Sequence, residues 1–159
     1  MSEVNRFLSV LPVELQAMAD HVIFIQPNNK STDQSHPKER SVVDSFVCYP
    51  QWPRKCTLRG WLTYCADLQA LPEREDLWAL SHCCTSDAAA QPQRDKLRQL
   101  SETTGSALYT DYILRQKRNW ADVLYDFDAL HAPGSGLSSL PILLSLLSPM
   151  RPREFSIAR

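Results

Sequence analysis

The chain has 159 residues, of which 43% are hydrophobic and 22% charged, a composition that fits a globular domain with one hydrophobic core. Its formal net charge of −1 gives no sign of binding to nucleic acid or to an anionic membrane surface. Because no apolar run approaches the length of a membrane span and no signal peptide stands at the N-terminus, we expect a cytoplasmic protein.

The first 25 residues predict two short helices followed by a strand. Apolar residues recur at helical spacing in the first eleven positions, and Ser2 is placed to cap that helix. Pro12 begins the second helix, whose buried face we expect to contain Val13, Ala17 and Met18. Residues 22–25 are β-branched or aromatic and predict a short strand.

Residues 27–53 differ in character from what precedes them. They are polar and interrupted by prolines, which predicts a loop within one domain. Thr57 then caps the helix with the clearest apolar stripe in the chain, on which Trp61 and Leu62 lie. This helix is therefore expected at the centre of the core.

Several further helices are predicted towards the C-terminus, so the fold class that we predict is mostly α with few short strands. Pro72 begins one of them, with Leu77, Trp78 and Leu80 on its expected inner face. Gly105 is interpreted as a helix end. Asn119 and Ser139 are predicted caps of two later helices. The core is expected to contain Trp61, Leu62, Leu80, Leu124, Phe127 and Leu143.

The five cysteines indicate neither disulfides nor a metal centre. They are Cys48, Cys56, Cys65, Cys83 and Cys84. Their odd number and the lack of a Cys-x-x-Cys pair predict reduced thiols. His82, Cys83 and Cys84 are adjacent, but no second cluster stands at zinc spacing, so we predict a structural role and no metal site.

The last residues of the chain, 149–159, suit a strand rather than a helix, because prolines interrupt the preceding helical pattern. At period two, Arg153 and Phe155 share one face. A guanidinium suits a phosphate or pyrophosphate, and an aromatic ring can cover a flat heterocycle. Ser156 points to the opposite face and reaches the same ligand only if the strand ends or bulges there. In isolation, so short a pattern is more often an ordinary amphipathic strand.

Two motifs together resemble the diflavin reductases. Residues 57–68 resemble the segment Thr-x-Arg-x-x-Leu-x-x-Tyr/His-x-Asp-Ile, which opens a helical connecting domain inserted in the FAD-binding barrel of that family. Residues 153–158, Arg-x-Phe-Ser-Ile-Ala, resemble its flavin-binding strand, Arg-x-(Tyr/Phe)-Ser-x-x-Ser. The order and spacing of the two motifs are those of the family, and the NADPH-dependent diflavin oxidoreductases are the members that the chain resembles most.

The resemblance implies a helical connecting region at 1–150 and the beginning of an FAD-binding barrel strand at 151–159. It implies that Arg153 holds the FAD pyrophosphate, that Phe155 lies on the isoalloxazine and that Ser156 helps to hold the flavin. FMN and NADPH would be cofactors of an intact parent protein and would not bind to this chain.

The departures from the family are large. The FMN-binding domain, the rest of the barrel and the NADPH-binding domain are absent, and Arg159 stands where the family has its second Ser. We therefore expect a fragment that carries part of an FAD site, has no catalytic residues and is inactive by itself.

Two functions of different class remain open. In the first, the parent passes electrons from NADPH through FAD and FMN to an acceptor protein, and the resemblance implies an iron–sulfur protein of cytosolic cluster assembly. In the second, the chain is a non-catalytic helical module that spaces or docks other domains and binds no flavin. The basic residues between Lys96 and Arg118 are either a solvated face or a docking surface for an acidic partner domain.

Overall fold

A computed structural model gives the structure of this chain and describes residues 2–25 and 52–150. Within these ranges there are eight α-helices and two short strands, which confirms the predicted mostly α fold class. None of the helices in the described ranges is both long enough and apolar enough to cross a membrane. The predicted strand at 151–159 and nearly all of the predicted loop at 27–53 lie outside the described residues.

The elements follow one another in this order: helices α1 (Glu3–Ser9) and α2 (Val13–Ala17), strands β1 (Val22–Phe24) and β2 (Lys55–Thr57), and helices α3 (Leu58–Tyr64), α4 (Arg74–Cys83), α5 (Gln91–Ser101), α6 (Ser106–Tyr109), α7 (Trp120–Asp126) and α8 (Leu140–Leu146). A π-helical turn at Thr110–Arg115 continues α6. Short 3-10 turns lie at Thr103–Gly105, Asp128–Leu130 and Gly136–Ser138.

The predicted capping residues mark the helix starts. The side chains of Ser2, Thr57 and Asn119 each accept a hydrogen bond from the backbone N–H three residues further on. Each bond satisfies one of the N–H groups that the first turn of a helix leaves without a partner. Ser139 also precedes a helix, α8, but its side chain makes no capping hydrogen bond.

The two strands pair antiparallel, with Val22 opposite Thr57 and Phe24 opposite Lys55. Ile23 is buried between two exposed neighbours, as expected for a strand with one face on the core. The predicted strand at 22–25 is thereby confirmed over the residues of β1. Its partner β2 leads directly into α3, so the sheet fixes where that helix begins.

A single hydrophobic core joins the helices, and α4 packs most extensively on α5. The six residues predicted for the core are all buried: Trp61, Leu62, Leu80, Leu124, Phe127 and Leu143. The buried face predicted for α2 is wrong for Val13 and Ala17, which are exposed, while Met18 is partly buried against the core. Leu15, which was not predicted, is buried. Residues two apart do not share a helix face, so burying Leu15 turns Val13 and Ala17 outward.

Trp78 is a second misplaced core residue, since it is 51% exposed. The inward face of α4 holds Leu77, Leu80 and Ser81, which follow the three- and four-residue spacing of a helix face. The Trp78 ring instead lies against the His82 ring, with centroids 4.3 Å apart. The tryptophan therefore covers a neighbouring turn of its own helix.

Gly105 is needed for space rather than to end a helix. It lies buried at the start of α6 with a φ of −86°, which any residue can adopt. A Cβ atom at this position would come within 1.8 Å of the Gln99 carbonyl oxygen. The interpretation of Gly105 as a helix end is corrected accordingly, because only glycine lets this turn approach the backbone of α5.

Candidate functional site

The three residues predicted to hold FAD, Arg153, Phe155 and Ser156, lie outside the described residues, so their role stays a prediction. The structure does describe the segment that leads to them. After α8 the chain runs through Ser148 to Met150 in an extended course beside the C-terminal end of α3.

Two backbone hydrogen bonds fix this segment. The Asp67 N–H donates to the Ser148 carbonyl at 2.9 Å, and the Met150 N–H donates to the Cys65 carbonyl at 2.7 Å. The bonds frame an isolated antiparallel bridge between the two stretches of chain. The end of the first family-like motif, 57–68, is therefore held against the residues that immediately precede the second.

Arg59, in the Thr-x-Arg part of the first motif, makes structural contacts. Its Nε donates to Asp20 Oδ1 at 2.7 Å, and a terminal nitrogen donates to Asn5 Oδ1 at 2.6 Å. The hydrogen bond from Arg59 lowers the pKa of the Asp20 carboxyl. These contacts tie the first turn of α3 to α1 and to the segment between α2 and β1.

Asp67, near the end of the same motif, shapes the turn that follows α3. Its Oδ1 accepts hydrogen bonds from the backbone N–H groups of Gln69 and Ala70. An aspartate that accepts from the backbone two and three residues ahead stabilises a turn. This turn holds the Asp67 N–H in the position where it donates to Ser148.

Two large apolar side chains stay exposed at this end of α3. Tyr64 is 79% exposed and Met150 is 49% exposed. Since Met150 bonds to the residue after Tyr64, both lie where the chain continues towards Arg153.

The His82-Cys83-Cys84 run is part of the packing. His82 contacts the Trp78 ring, and the Cys84 thiol lies 3.7 Å from the Leu80 carbonyl, to which it donates. Burial raises the pKa of Cys83 to about 11, so this thiol stays protonated at neutral pH. Within residues 2–25 and 52–150, no group of three or more His, Cys, Asp or Glu is placed to hold a metal ion.

One polar cluster was missed by the sequence reasoning. The Tyr112 hydroxyl donates to Asp126 Oδ2 at 2.7 Å, and a terminal nitrogen of Arg118 lies 3.0 Å from the same oxygen. Burial, and then the hydrogen bond to Asp126, raise the pKa of Tyr112, so the phenol remains a donor. No local spacing joins Tyr112 to Asp126, so only the tertiary fold reveals the pair.

Comparison with known proteins gives several relatives but no matching family model. The chain is 32% identical over 139 residues to NADPH-dependent diflavin oxidoreductase 1 of Mus musculus, which covers 86% of the chain. It is 30% identical over 161 residues to the protein of that name from Dictyostelium discoideum, which covers 99% of the chain. Methionine synthase reductase of Bos taurus is 31% identical over 106 residues, or 67% of the chain.

The matches involve only a small part of each relative. They cover 21% of the Mus musculus and Dictyostelium discoideum proteins and 14% of the Bos taurus reductase. Within that span the agreement extends over most of the chain and includes relatives of two different names. The chain therefore belongs, over this span, to the diflavin oxidoreductase family.

Proposed function

We propose that this chain is the region of a diflavin oxidoreductase in which a helical connecting domain leads into the first FAD-binding strand. The observation that carries the proposal is the pairing of Ser148 and Met150 with the end of α3, because it holds the end of the first motif against the residues that lead towards the second. Two relatives named NADPH-dependent diflavin oxidoreductase 1 match this same span, which supports the proposal.

In this proposal three residues hold FAD. The Arg153 guanidinium would donate paired hydrogen bonds to the pyrophosphate, and the Phe155 ring would cover the flat isoalloxazine. The Ser156 hydroxyl would bond to the flavin if the strand ends or bulges there. Bound FAD would supply the conversion of a hydride from NADPH into single electrons for FMN. The residues of this chain would bind and orient the flavin.

The electron acceptor of the parent is proposed to be a protein. One relative bears the name methionine synthase reductase, which describes a reductase with a protein target. The resemblance to the short cytosolic diflavin oxidoreductases suggests an iron–sulfur protein in the cytoplasm. Loss of visible absorption from an anaerobic iron–sulfur protein on addition of NADPH and the reconstituted parent would support this acceptor, and an unchanged spectrum would contradict it.

The second candidate function is a helical spacer or docking module that binds no flavin. The contacts of Thr57, Arg59 and Asp67 favour it, since all three motif residues serve the fold. The two functions share the same helical core and differ in whether the strand after Met150 contributes to an FAD site. FAD binding therefore separates them.

The test uses a chimera in which this chain replaces the matching segment of the Mus musculus relative. We expect a yellow protein that binds FAD stoichiometrically. Arg153→Ala should weaken FAD binding about tenfold or more, because it removes charged hydrogen bonds to the pyrophosphate. Glu154→Ala, on the opposite face of the predicted strand, is the matched control and should leave the affinity unchanged.

The chain by itself should bind FAD weakly or not at all in a calorimetric titration. One charged contact and one stacked ring do not offset the entropy lost in ordering the end of a chain. Tight binding by the chain alone would contradict this expectation. Equal FAD affinity in the chimera and its Arg153→Ala variant would refute the site assignment, and a colourless chimera would favour the spacer function.

A further inference from the structure

We propose that a cavity between α5, the π-helical turn and α7 binds a small amphipathic carboxylate, with Lys96 as its cationic partner. The cavity has a volume of about 370 Å³. Its lining includes Lys96, Leu100, Tyr112, Phe127 and the carboxylates of Asp111 and Asp126. Protein sites for small ligands commonly have volumes of about 300–1,000 Å³. This inference does not depend on the proposed flavin site.

The floor of the cavity is apolar. Leu100 and Phe127 are both buried. The rings of Tyr112 and Phe127 meet edge to face, with centroids 6.4 Å apart. Leu108, at 37% exposure, extends the apolar surface to the rim. Water on such a surface finds few hydrogen-bond partners, so an apolar ligand body that displaces it is favoured.

The wall of the cavity comes from a rare element. Thr110–Arg115 is a π-helical turn, which supplies Asp111 and Tyr112 to the lining and is followed by Gln116. Single π-helical turns are uncommon and occur frequently at functional sites. The wider turn here coincides with the space between α5 and α7, which supports a binding role for that space.

The charged residues of the lining are one lysine and two aspartates, and each aspartate is paired with an arginine outside the lining. Asp111 is paired with Arg115 at 2.7 Å, and Asp126 is paired with Arg118 at 3.0 Å. Lys96 is exposed and has no ion pair with any residue in the described part of the chain. The unmatched charge beside the cavity is therefore the positive charge of this lysine.

A carboxylate on an aromatic or short aliphatic body fits this combination. The apolar body would lie on Leu100 and Phe127, and the carboxylate would face the Lys96 ammonium at the mouth. Gln116 adds a second donor, because its side-chain oxygen already accepts a hydrogen bond from Arg118 at 3.0 Å and its amide nitrogen remains able to donate. A neutral or cationic ligand of the same shape would lack the ion pair.

The experiment titrates phenylacetate into the full 159-residue chain and follows backbone amide shifts by NMR. We expect saturable shifts, in the millimolar range, concentrated at the cavity lining. Phenylacetamide, which is neutral, and phenethylamine, which is cationic, should both bind more weakly. Lys96→Met should weaken phenylacetate binding roughly three- to fivefold, as expected for loss of an exposed ion pair.

Arg98→Met is the matched control, since Arg98 is exposed on the same helix and does not line the cavity. Its phenylacetate affinity should equal that of the unmodified chain. Leu108→Trp should narrow the mouth and abolish the shifts while the rest of the spectrum is preserved. The proposal fails if phenylacetate gives no saturable shifts at the lining, if phenethylamine binds as well as phenylacetate, or if Lys96→Met and Arg98→Met bind alike.

Discussion

At the scale of single residues, Asp76 combines a structural hydrogen bond with an unfavourable environment for charge. It lies in the first turn of α4, where its Oδ2 accepts the Glu73 backbone N–H at 2.8 Å. Burial raises its pKa from 3.8 to about 6, and the hydrogen bond, which favours the carboxylate, opposes this only in part. Nearby Glu73 and Glu75 raise the pKa further. The N-terminal cap of α4 therefore includes a carboxyl group that is costly to ionise.

The pH dependence of stability follows from this pKa. Because the folded chain binds the Asp76 proton more tightly than the unfolded chain does, this group stabilises the fold below pH 3.8, and its contribution is lost as pH rises through about 6. Asp76→Asn keeps an acceptor for the Glu73 N–H but cannot ionise. We expect the free energy of unfolding of this variant not to fall as pH rises through this range. At neutral pH the variant should therefore be more stable than the unmodified chain.

Urea denaturation at a series of pH values measures this effect. Asp95→Asn is the control, since it neutralises an exposed carboxylate on α5 and leaves the capping bond and both glutamates near Asp76 in place. If the free energy of unfolding of Asp76→Asn declines with pH as it does in the unmodified chain, another group is responsible.

At the scale of the elements, the helix that begins with α6 ends on a lysine in the left-handed region. Lys117 has a φ of 51°, and the Arg118 N–H donates to the Ile113 carbonyl at 3.1 Å. This bond, from the second residue past the helix end back to the last turn, defines a Schellman motif, in which glycine is the usual left-handed residue. The side chain of Lys117 therefore adds strain to an otherwise regular helix end.

Lys117→Gly should stabilise the fold by about 1 kcal/mol, because glycine adopts the left-handed conformation without the Cβ penalty. Lys117→Ala is the matched control, since it removes the lysine side chain but keeps the Cβ atom. We expect the free energy of unfolding of Lys117→Ala to stay near that of the unmodified chain. Thermal or urea unfolding in which Lys117→Gly gains no more than Lys117→Ala would contradict the explanation.

Elements that depend on local chemistry were predictable from the sequence. Ser2, Thr57 and Asn119 mark helix starts because a cap needs only a side-chain acceptor and an N–H three residues away. Strand β1 was predictable because its residues are β-branched or aromatic. These signals lie within a few residues of one another, so tertiary packing does not change them.

Features that depend on distant contacts were not predictable. The burial of Leu15 in place of Val13 is decided by what packs against α2, and the need for glycine at position 105 comes from the backbone of α5. The π-helical turn at Thr110–Arg115 has no sequence signature that separates it from an α-helix. In each case the deciding atoms belong to another part of the chain.

At the scale of the whole molecule, the candidate site depends on a pairing that no local pattern contains. Sequence motifs identified residues 57–68 and 153–158 through their resemblance to a family, but the approach of Met150 to Cys65 appears only in the fold. Helix α3 makes this approach possible, because it runs from the sheet to the bridge and is anchored in the core by Trp61. The stability of the core and the course of Ser148 to Met150 are therefore linked through this helix.

Trp61 is the central anchor of that helix. Its side chain is fully buried and meets Trp52 edge to face, with centroids 5.0 Å apart. Its indole nitrogen has no hydrogen-bond partner among residues 2–25 and 52–150, so the ring contributes through packing. Trp78, which is 51% exposed on α4, offers a natural comparison, because the same residue type there is half exposed and its ring lies against His82 of the same helix.

Trp61→Ala should lower the free energy of unfolding by about 3–5 kcal/mol, as expected when a buried aromatic residue is replaced and leaves a cavity. Trp78→Ala should cost less than about 1 kcal/mol, because much of its ring already contacts water. Trp61→Phe keeps most of the packing and removes the unpaired indole N–H, so it should cost less than Trp61→Ala. It also gives a measurable value if the alanine variant does not fold. Urea denaturation of the three variants orders these costs, and an equal loss in Trp61→Ala and Trp78→Ala would mean that the core is not built around α3.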